Sequence, residues 1–281
     1  MKFYTNVQLI GNQVLVRGVE NGRRYEYRDE FFPTLFVKSK KDTKYRTLSG
    51  EAVEPIKPGS VRDCREFYKK YDDVDGFAIY GNDRYIYQYI SEKYPEKEIK
   101  FDINQIKLVT LDIETTAEYG FPDVESASEE ILAITIQDYT TKEIVTWGQR
   151  SFLNKQKNVT YHHCPTEQEL LNHFISYWMQ DVPDVVTGWN IQMFDIPYIC
   201  KRLNRVLGEK LMKRFSNWGL VTEGEIYVQG RKQIVFDVGG LTQLDYLDLY
   251  KKFTYKAQES YRLDYIAEVE LGQKKLDHSE F

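Results

Sequence analysis

Along the first hundred residues, short apolar runs alternate with charged turns. Val14-Leu15-Val16 and Leu35-Phe36-Val37 read as strands, and Asn21-Gly22, between Val19 and Tyr25, is a hairpin turn signal. Pro55, Pro58 and Gly59 break the chain before a helix over Val61 to Tyr71, where Phe67 and Tyr71 stand four apart on one face. A further apolar run follows at Phe77-Ala78-Ile79-Tyr80. These features predict a small α+β domain over residues 1–104, with the charged stretch SEKYPEKEIKFD, broken by Pro95, as its connector.

From Gln105 the pattern changes. Ile106 to Ile113, Ile131 to Ile136 and Glu143 to Trp147 read as strands, the third reached through Tyr139-Thr140-Thr141. Thr166 and Glu169 form a capping box that opens a helix, with Leu170, Leu171, Phe174, Ile175, Trp178 and Met179 on one stripe. Pro183 closes it. Val185-Val186-Thr187 is a short buried strand, and a second helix runs from about Asp195 to Leu207 with Ile196, Ile199, Cys200, Leu203 and Leu207 inward. This order predicts an α/β domain over residues 105–281, built on a mixed sheet flanked by helices. The stretch EIYVQGRKQIVFDV, with Gln229-Gly230-Arg231 at its centre, reads as a hairpin with a polar, basic tip.

Composition narrows the classes. In 281 residues, 42% are hydrophobic and 29% charged, which excludes a disordered tail. No run approaches the roughly 18 apolar residues of a membrane span, and MKFYTNVQLIGNQVL lacks the form of a secretory signal. Cys64, Cys164 and Cys200 are scattered and odd in number, so they read as reduced thiols of a cytoplasmic protein rather than a disulfide frame. The net charge of −5 argues against a sequence-independent nucleic-acid coat, which needs a basic surplus to displace counterions. Any nucleic-acid chemistry here must rely on local positive charge or on bound metal.

The informative segment is Leu111-Asp112-Ile113-Glu114-Thr115-Thr116. Residues i and i+2 of a strand share a face, so Asp112 and Glu114 bring two carboxylates together. Ionised side by side they repel, and a hard divalent cation such as Mg²⁺ or Mn²⁺ relieves that repulsion through oxygen ligands. A solvated strand end is the plain alternative. In Thr187-Gly188-Trp189-Asn190-Ile191-Gln192-Met193-Phe194-Asp195, a buried strand enters a glycine turn and Asp195 opens a helix. Asp195 reads there as an N-cap, at the carboxyl end of a strand where α/β sheets hold ligands. His162-His163 beside Cys164 reads as a solvated loop, since no fourth ligand stands at zinc-site spacing.

The Asp-Ile-Glu-Thr segment, followed 83 positions later by the aspartate of an Asn-x3-Phe-Asp segment, resembles the first two exonuclease motifs of family B DNA polymerases. The surrounding GWNIQMFDIPY, LDYLDLYKKF and SYRLDYIAEVEL look most like the polymerases of T4-type tailed phages. The resemblance implies a ribonuclease H-like domain that removes 3′-terminal nucleotides from primer DNA. It implies that Asp112, Glu114 and Asp195 are catalytic and bind a pair of Mg²⁺ or Mn²⁺ ions, and that Thr115, Asn190 and Phe194 contact single-stranded DNA. Phe121, in Tyr119-Gly120-Phe121-Pro122, stands as a base-stacking wedge or as a loop residue tucked onto its own domain. Arg231 marks a hairpin that either helps part primer from template or is a plain surface element.

The family's third motif, Tyr-x3-Asp, is not met after Asp195. Tyr246-Leu247-Asp248 has the wrong spacing, Tyr261-Arg262-Leu263-Asp264 is one residue short, and Tyr250 and Tyr255 have no aspartate four positions on. The expectation is an amino-terminal polymerase portion, truncated before that motif and weak or inactive alone. Its partners would be primer-template DNA, the remaining palm, fingers and thumb in cis or in trans, and a sliding clamp reached through them, in a phage-infected bacterial cytoplasm. A non-catalytic nucleic-acid-binding module and a stand-alone exonuclease of the same superfamily are the rival readings. Lys251-Lys252 and Lys274-Lys275 stand equally as phosphate contacts or as solvated faces.

Overall fold

Gly11 and the pair Asn21-Gly22, all with positive φ, reverse the chain twice near its start. These turns link β1 (Lys2–Ile10), β2 (Gln13–Glu20) and β3 (Arg23–Glu30), an antiparallel meander. The structure, a computed structural model, describes residues 2–81, 83–95, 98–118, 120–228 and 230–274. β4 (Leu35–Lys38), β5 (Tyr45–Arg46) and β6 (Ala52–Ile56) join β7 (Ile79–Tyr80) in a second antiparallel sheet, ordered β5-β6-β4-β7. Of the run Phe77 to Tyr80, only the last two residues pair as strand. Helices α1 (Val61–Tyr71) and α2 (Tyr85–Lys93) complete this β-rich region. The Ser60 hydroxyl accepts the Asp63 amide at 3.3 Å, and the Ser60 amide donates back to Asp63 at 2.7 Å, a reciprocal cap on α1. Val14, Val16, Leu35, Val61, Cys64 and Tyr89 form its core. Contacts divide the chain between Ile106 and Lys107.

The second unit is built on a six-stranded mixed sheet. Its strands are β8 (Leu108–Thr115), β9 (Ile131–Asp138), β10 (Ile144–Gly148), β11 (Val159–His163) and β12 (Val185–Gly188), with a further strand contributed after a hairpin. That hairpin is β13 (Val221–Val228) and β14 (Arg231–Val238), and the last sheet strand is β15 (Thr242–Asp245). The sheet order is β11-β10-β9-β8-β12-β15. β8 with β9 and β9 with β10 are antiparallel, whereas β10–β11, β8–β12 and β12–β15 are parallel. Helices α3 (Glu167–Trp178), α4 (Asp195–Leu207), α5 (Glu209–Met212), α6 (Tyr246–Phe253) and α7 (Leu263–Leu271) accompany it. This mixed, helix-flanked sheet has the α/β character that the sequence predicted and is consistent with a ribonuclease H-like domain.

Burial follows the apolar pattern closely. Leu170, Leu171, Phe174, Ile175 and Trp178 of α3 and Ile196, Ile199, Cys200 and Leu203 of α4 enter one core with Val109, Leu111 and Ile113 of β8. Met179 departs from its expected stripe: it lies past the last turn of α3 and is 42% exposed. The segment expected to be a loop at His162-His163 is the edge strand β11, with His162 stacked on Trp147 at 5.8 Å and Cys164 buried behind it. The expected hairpin is present, with Gly230 at φ 77° beside its turn; Gln229 lies outside the described residues. All three cysteines are buried and unbridged. Among the described residues, no helix is long and apolar enough to cross a membrane.

Candidate active site

β8 alternates strictly. Val109, Leu111 and Ile113 are buried, while Thr110, Asp112 and Glu114 are exposed, so the two carboxylates share the opposite face. β12 pairs with β8 only from Leu108 to Thr110, whereas β9 follows β8 to Thr115. Beyond Thr110, β8 therefore outruns its parallel neighbour, and the backbone groups on that side need other partners. Gly188 ends β12 hard against β8: a Cβ there would stand 2.6 Å from the Leu111 carbonyl oxygen and 2.4 Å from the Ile191 side chain. Only glycine fits.

The chain then turns through Trp189 to Phe194, with Asn190 held at φ 65°, and α4 begins at Asp195. Asp195 does not cap the helix as its sequence context suggested. Phe194 is the N-cap residue and makes no side-chain cap bond, and Asp195 is the first helical residue. Its carboxylate instead reaches β8: Oδ1 accepts the Ile113 amide at 3.1 Å, in the place that β12 has vacated. The two acidic motifs thus meet at the amide between Asp112 and Glu114.

Asp195 is 4% exposed. Burial, reinforced by the negative charge of Asp112, pushes its pKa up to about 7, against the lowering effect of the Ile113 amide. Asp112 and Glu114 line an open cleft of about 900 Å³ together with Trp189, Asn190, Leu247 and Asp264. Three carboxylates are oxygen donors of the kind hard divalent cations prefer, and their mutual repulsion is what such a cation neutralises. Among the described residues, however, no three His, Cys, Asp or Glu side chains are drawn into a ready metal cage.

Phe121, Asn190, Phe194 and Arg231 line a second, adjoining groove of about 620 Å³, which shares Asn190 and Leu247 with the first. Phe121 is 87% exposed, and its ring lies 5.4 Å from that of Phe194. Thr115 ends β8 half-buried, apart from the residues that line these two grooves. Lys251, whose role the sequence left open, lines the groove near Asp248; Lys275 lies outside the described residues. The loop bearing Phe121 is tied down from α4. Tyr198 donates to the Glu129 carbonyl at 2.8 Å, Arg202 to Ala127 at 3.0 Å, and Arg205 to Ala127 and Ser126 at 2.6 Å each.

Asp245, at the end of β15, was not singled out as a site residue. Oδ1 accepts the amides of Asn190 (3.0 Å) and Leu247 (2.9 Å), and Oδ2 accepts that of Gln192 (3.0 Å). It is 4% exposed. The available signal is an aspartate directly before the helical run YLDLYKKF, an N-cap position.

The family model for the exonuclease domain of family B DNA polymerases matches residues 79–266. The chain belongs to the family B DNA polymerase exonuclease family. Among individual proteins, it is similar to the DNA-directed DNA polymerase of Enterobacteria phage T4, with 31% identity across 99% of this chain and 33% of the phage protein. The corresponding polymerase of Escherichia phage RB69 is 30% identical across 99% of this chain and 34% of its own length. DNA polymerase 037L of Invertebrate iridescent virus 6 is 29% identical across 74% and 17%. The chain thus spans about a third of the length of the phage relatives it matches. The phage relatives also align with the stretch before residue 79 that the family model omits.

Proposed function

We propose that this chain carries the proofreading 3′–5′ exonuclease chemistry of a DNA polymerase, acting on the 3′ end of single-stranded or primer DNA. The observation that supports the reading best is the bond from the Ile113 amide to the Asp195 carboxylate, which joins two acidic segments 82 positions apart. Asp112, Glu114 and Asp195 would hold Mg²⁺ or Mn²⁺. When bound, such ions supply Lewis-acid stabilisation of the charge that builds on a phosphodiester as it is hydrolysed.

The chain's own residues do the remainder. Asp195 retains a proton to about pH 7 in the absence of a cation, so metal binding there competes with protonation. Phe121 and Phe194 present adjacent rings on which unpaired bases can stack, while Arg231 and Lys251 place positive charge along the same groove. Asn190 lines both grooves and joins the strand path to the acidic face. Neutralising charge is local, as the acidic balance of the chain requires. The remaining polymerase segments and a clamp belong to the same proposal, because the matched relatives are about three times as long.

The deciding measurement is Mn²⁺ binding together with digestion of a 5′-labelled single strand. The wild-type chain should bind Mn²⁺ and shorten the strand slowly from its 3′ end, and Asp112→Asn and Asp195→Asn should lose both properties. Equal Mn²⁺ affinity in all three proteins, with strand binding intact, would establish the non-catalytic binding module instead.

A further inference from the structure

Asp245 holds the second-motif loop in place from a neighbouring strand. Gly188 of β12 lies in parallel register with Asp245 of β15, and the chain leaving β12 folds back over that carboxylate. Both oxygens are used on backbone amides: Oδ1 on Asn190 and Leu247, Oδ2 on Gln192. Two further bonds fasten the same loop, from Gln192 Nε2 to the Gln243 carbonyl at 3.1 Å and from the Trp189 indole to the Tyr261 carbonyl at 3.0 Å. Asn190 occupies the left-handed region, a conformation that costs a non-glycine residue about 1 kcal/mol and persists only where its surroundings enforce it. The Leu247 amide is the other half of the arrangement, because Asp245 is the N-cap of α6. That helix contributes Leu247, Asp248 and Lys251 to the groove, while the loop contributes Asn190, Met193 and Phe194. One buried carboxylate therefore joins the two walls.

We infer that Asp245 is a positioning residue that sets the spacing between α6 and the Asn190–Phe194 loop, and so the width of the groove that receives a single DNA strand. The inference rests on the exonuclease reading for the identity of the ligand, and on geometry alone for the clamp. Asp245 lines neither groove; it acts on them through Asn190, Gln192 and Leu247.

Asp245→Asn in the full chain tests it, because a carboxamide has one acceptor oxygen. That oxygen can still serve Asn190 and Leu247, but the amide nitrogen then faces the Gln192 N–H. Asp245→Ser is the second variant, since serine keeps a capping oxygen for α6 while being too short to hold both loop amides. Two readouts are taken: backbone hydrogen exchange at Asn190 and Gln192, and affinity for a fluorescent oligothymidine in EDTA. Both variants should fold cooperatively, exchange faster at Gln192, and bind the oligonucleotide about tenfold more weakly, the scale of one lost hydrogen bond to a charged group. Thr166→Ala, which weakens the cap of α3 and lies outside the groove, should leave oligonucleotide affinity unchanged. Exchange and affinity at wild-type values in both variants would overturn the inference. A wild-type chain that does not bind oligothymidine would refute the nucleic-acid reading, while unaltered exchange at Gln192 would still refute the clamp.

Discussion

Two carboxylates of the second unit are buried to nearly the same degree and meet opposite fates. Glu167, at the start of α3, is 5% exposed and Asp195, at the start of α4, is 4% exposed. Glu167 accepts the Ile131 amide at 2.9 Å and is met by Arg202, whose Nε donates to it at 2.7 Å and whose Nη2 donates to its other oxygen. Asp195 also accepts a strand amide, that of Ile113, but the charge facing it is the like charge of Asp112. The difference is in the partner, since burial is equal. A buried carboxylate given a guanidinium becomes structure; one set against another carboxylate carries an electrostatic demand that a proton or a divalent ion meets. The same α4 supplies Arg202 to the first and Asp195 to the second, so the helix is anchored at one position and charged at another.

The largest effect should come from breaking the satisfied pair. Arg202→Met leaves Glu167 buried without its partner and removes one of the two arginine donors to the Ala127 carbonyl, and should cost about 3–5 kcal/mol in chemical denaturation. A loss below about 1 kcal/mol would mean that the pair contributes as little as a surface bridge does. Next is the unsatisfied site. Because the Asp195 pKa is raised on folding, its proton is held to about pH 7 in the native chain but released near the ordinary carboxylate value when unfolded. Metal-free stability should therefore fall as pH rises from about 4 to 7 and level off above. Asp195→Asn should remove that fall and be the more stable protein at pH 8, by up to about 4 kcal/mol at 1.36 kcal/mol per unit. Parallel pH–stability curves for the two proteins would show that burial and Asp112 do not act as described. The smallest effect is at the cap, where the Thr166 hydroxyl accepts the Glu169 amide at 3.3 Å. Thr166→Ala should cost about 1 kcal/mol and shift the melting temperature without altering the pH profile.

Much of this was legible in residue order, and what was missed has physical reasons. Alternation in β8 placed Asp112 and Glu114 on one face because one residue in two is buried there. The apolar stripes of α3 and α4 were readable for the same reason. β11 and β15 were not readable. Each is short, carries Thr, His or Gln at half or more of its positions, and is an edge strand held only by parallel pairing to one neighbour. Asp195 reads as a cap because a carboxylate at a helix start has helix amides in reach, whereas in the fold it accepts the Ile113 amide of the neighbouring strand. The cap that Asp245 makes for α6 has a local signal, whereas its hold on Asn190 and Gln192, 55 and 53 positions earlier, lies beyond any local pattern.

Where β8 continues past the end of β12, a ragged sheet margin is closed by a side chain instead of by another strand. The final stitch of the sheet and the gathering of the acidic groups are consequently a single event: fraying at that margin would disperse the chemistry, and an intact margin keeps it assembled. In such an arrangement the bond that finishes the scaffold also fixes how far apart the acidic groups stand.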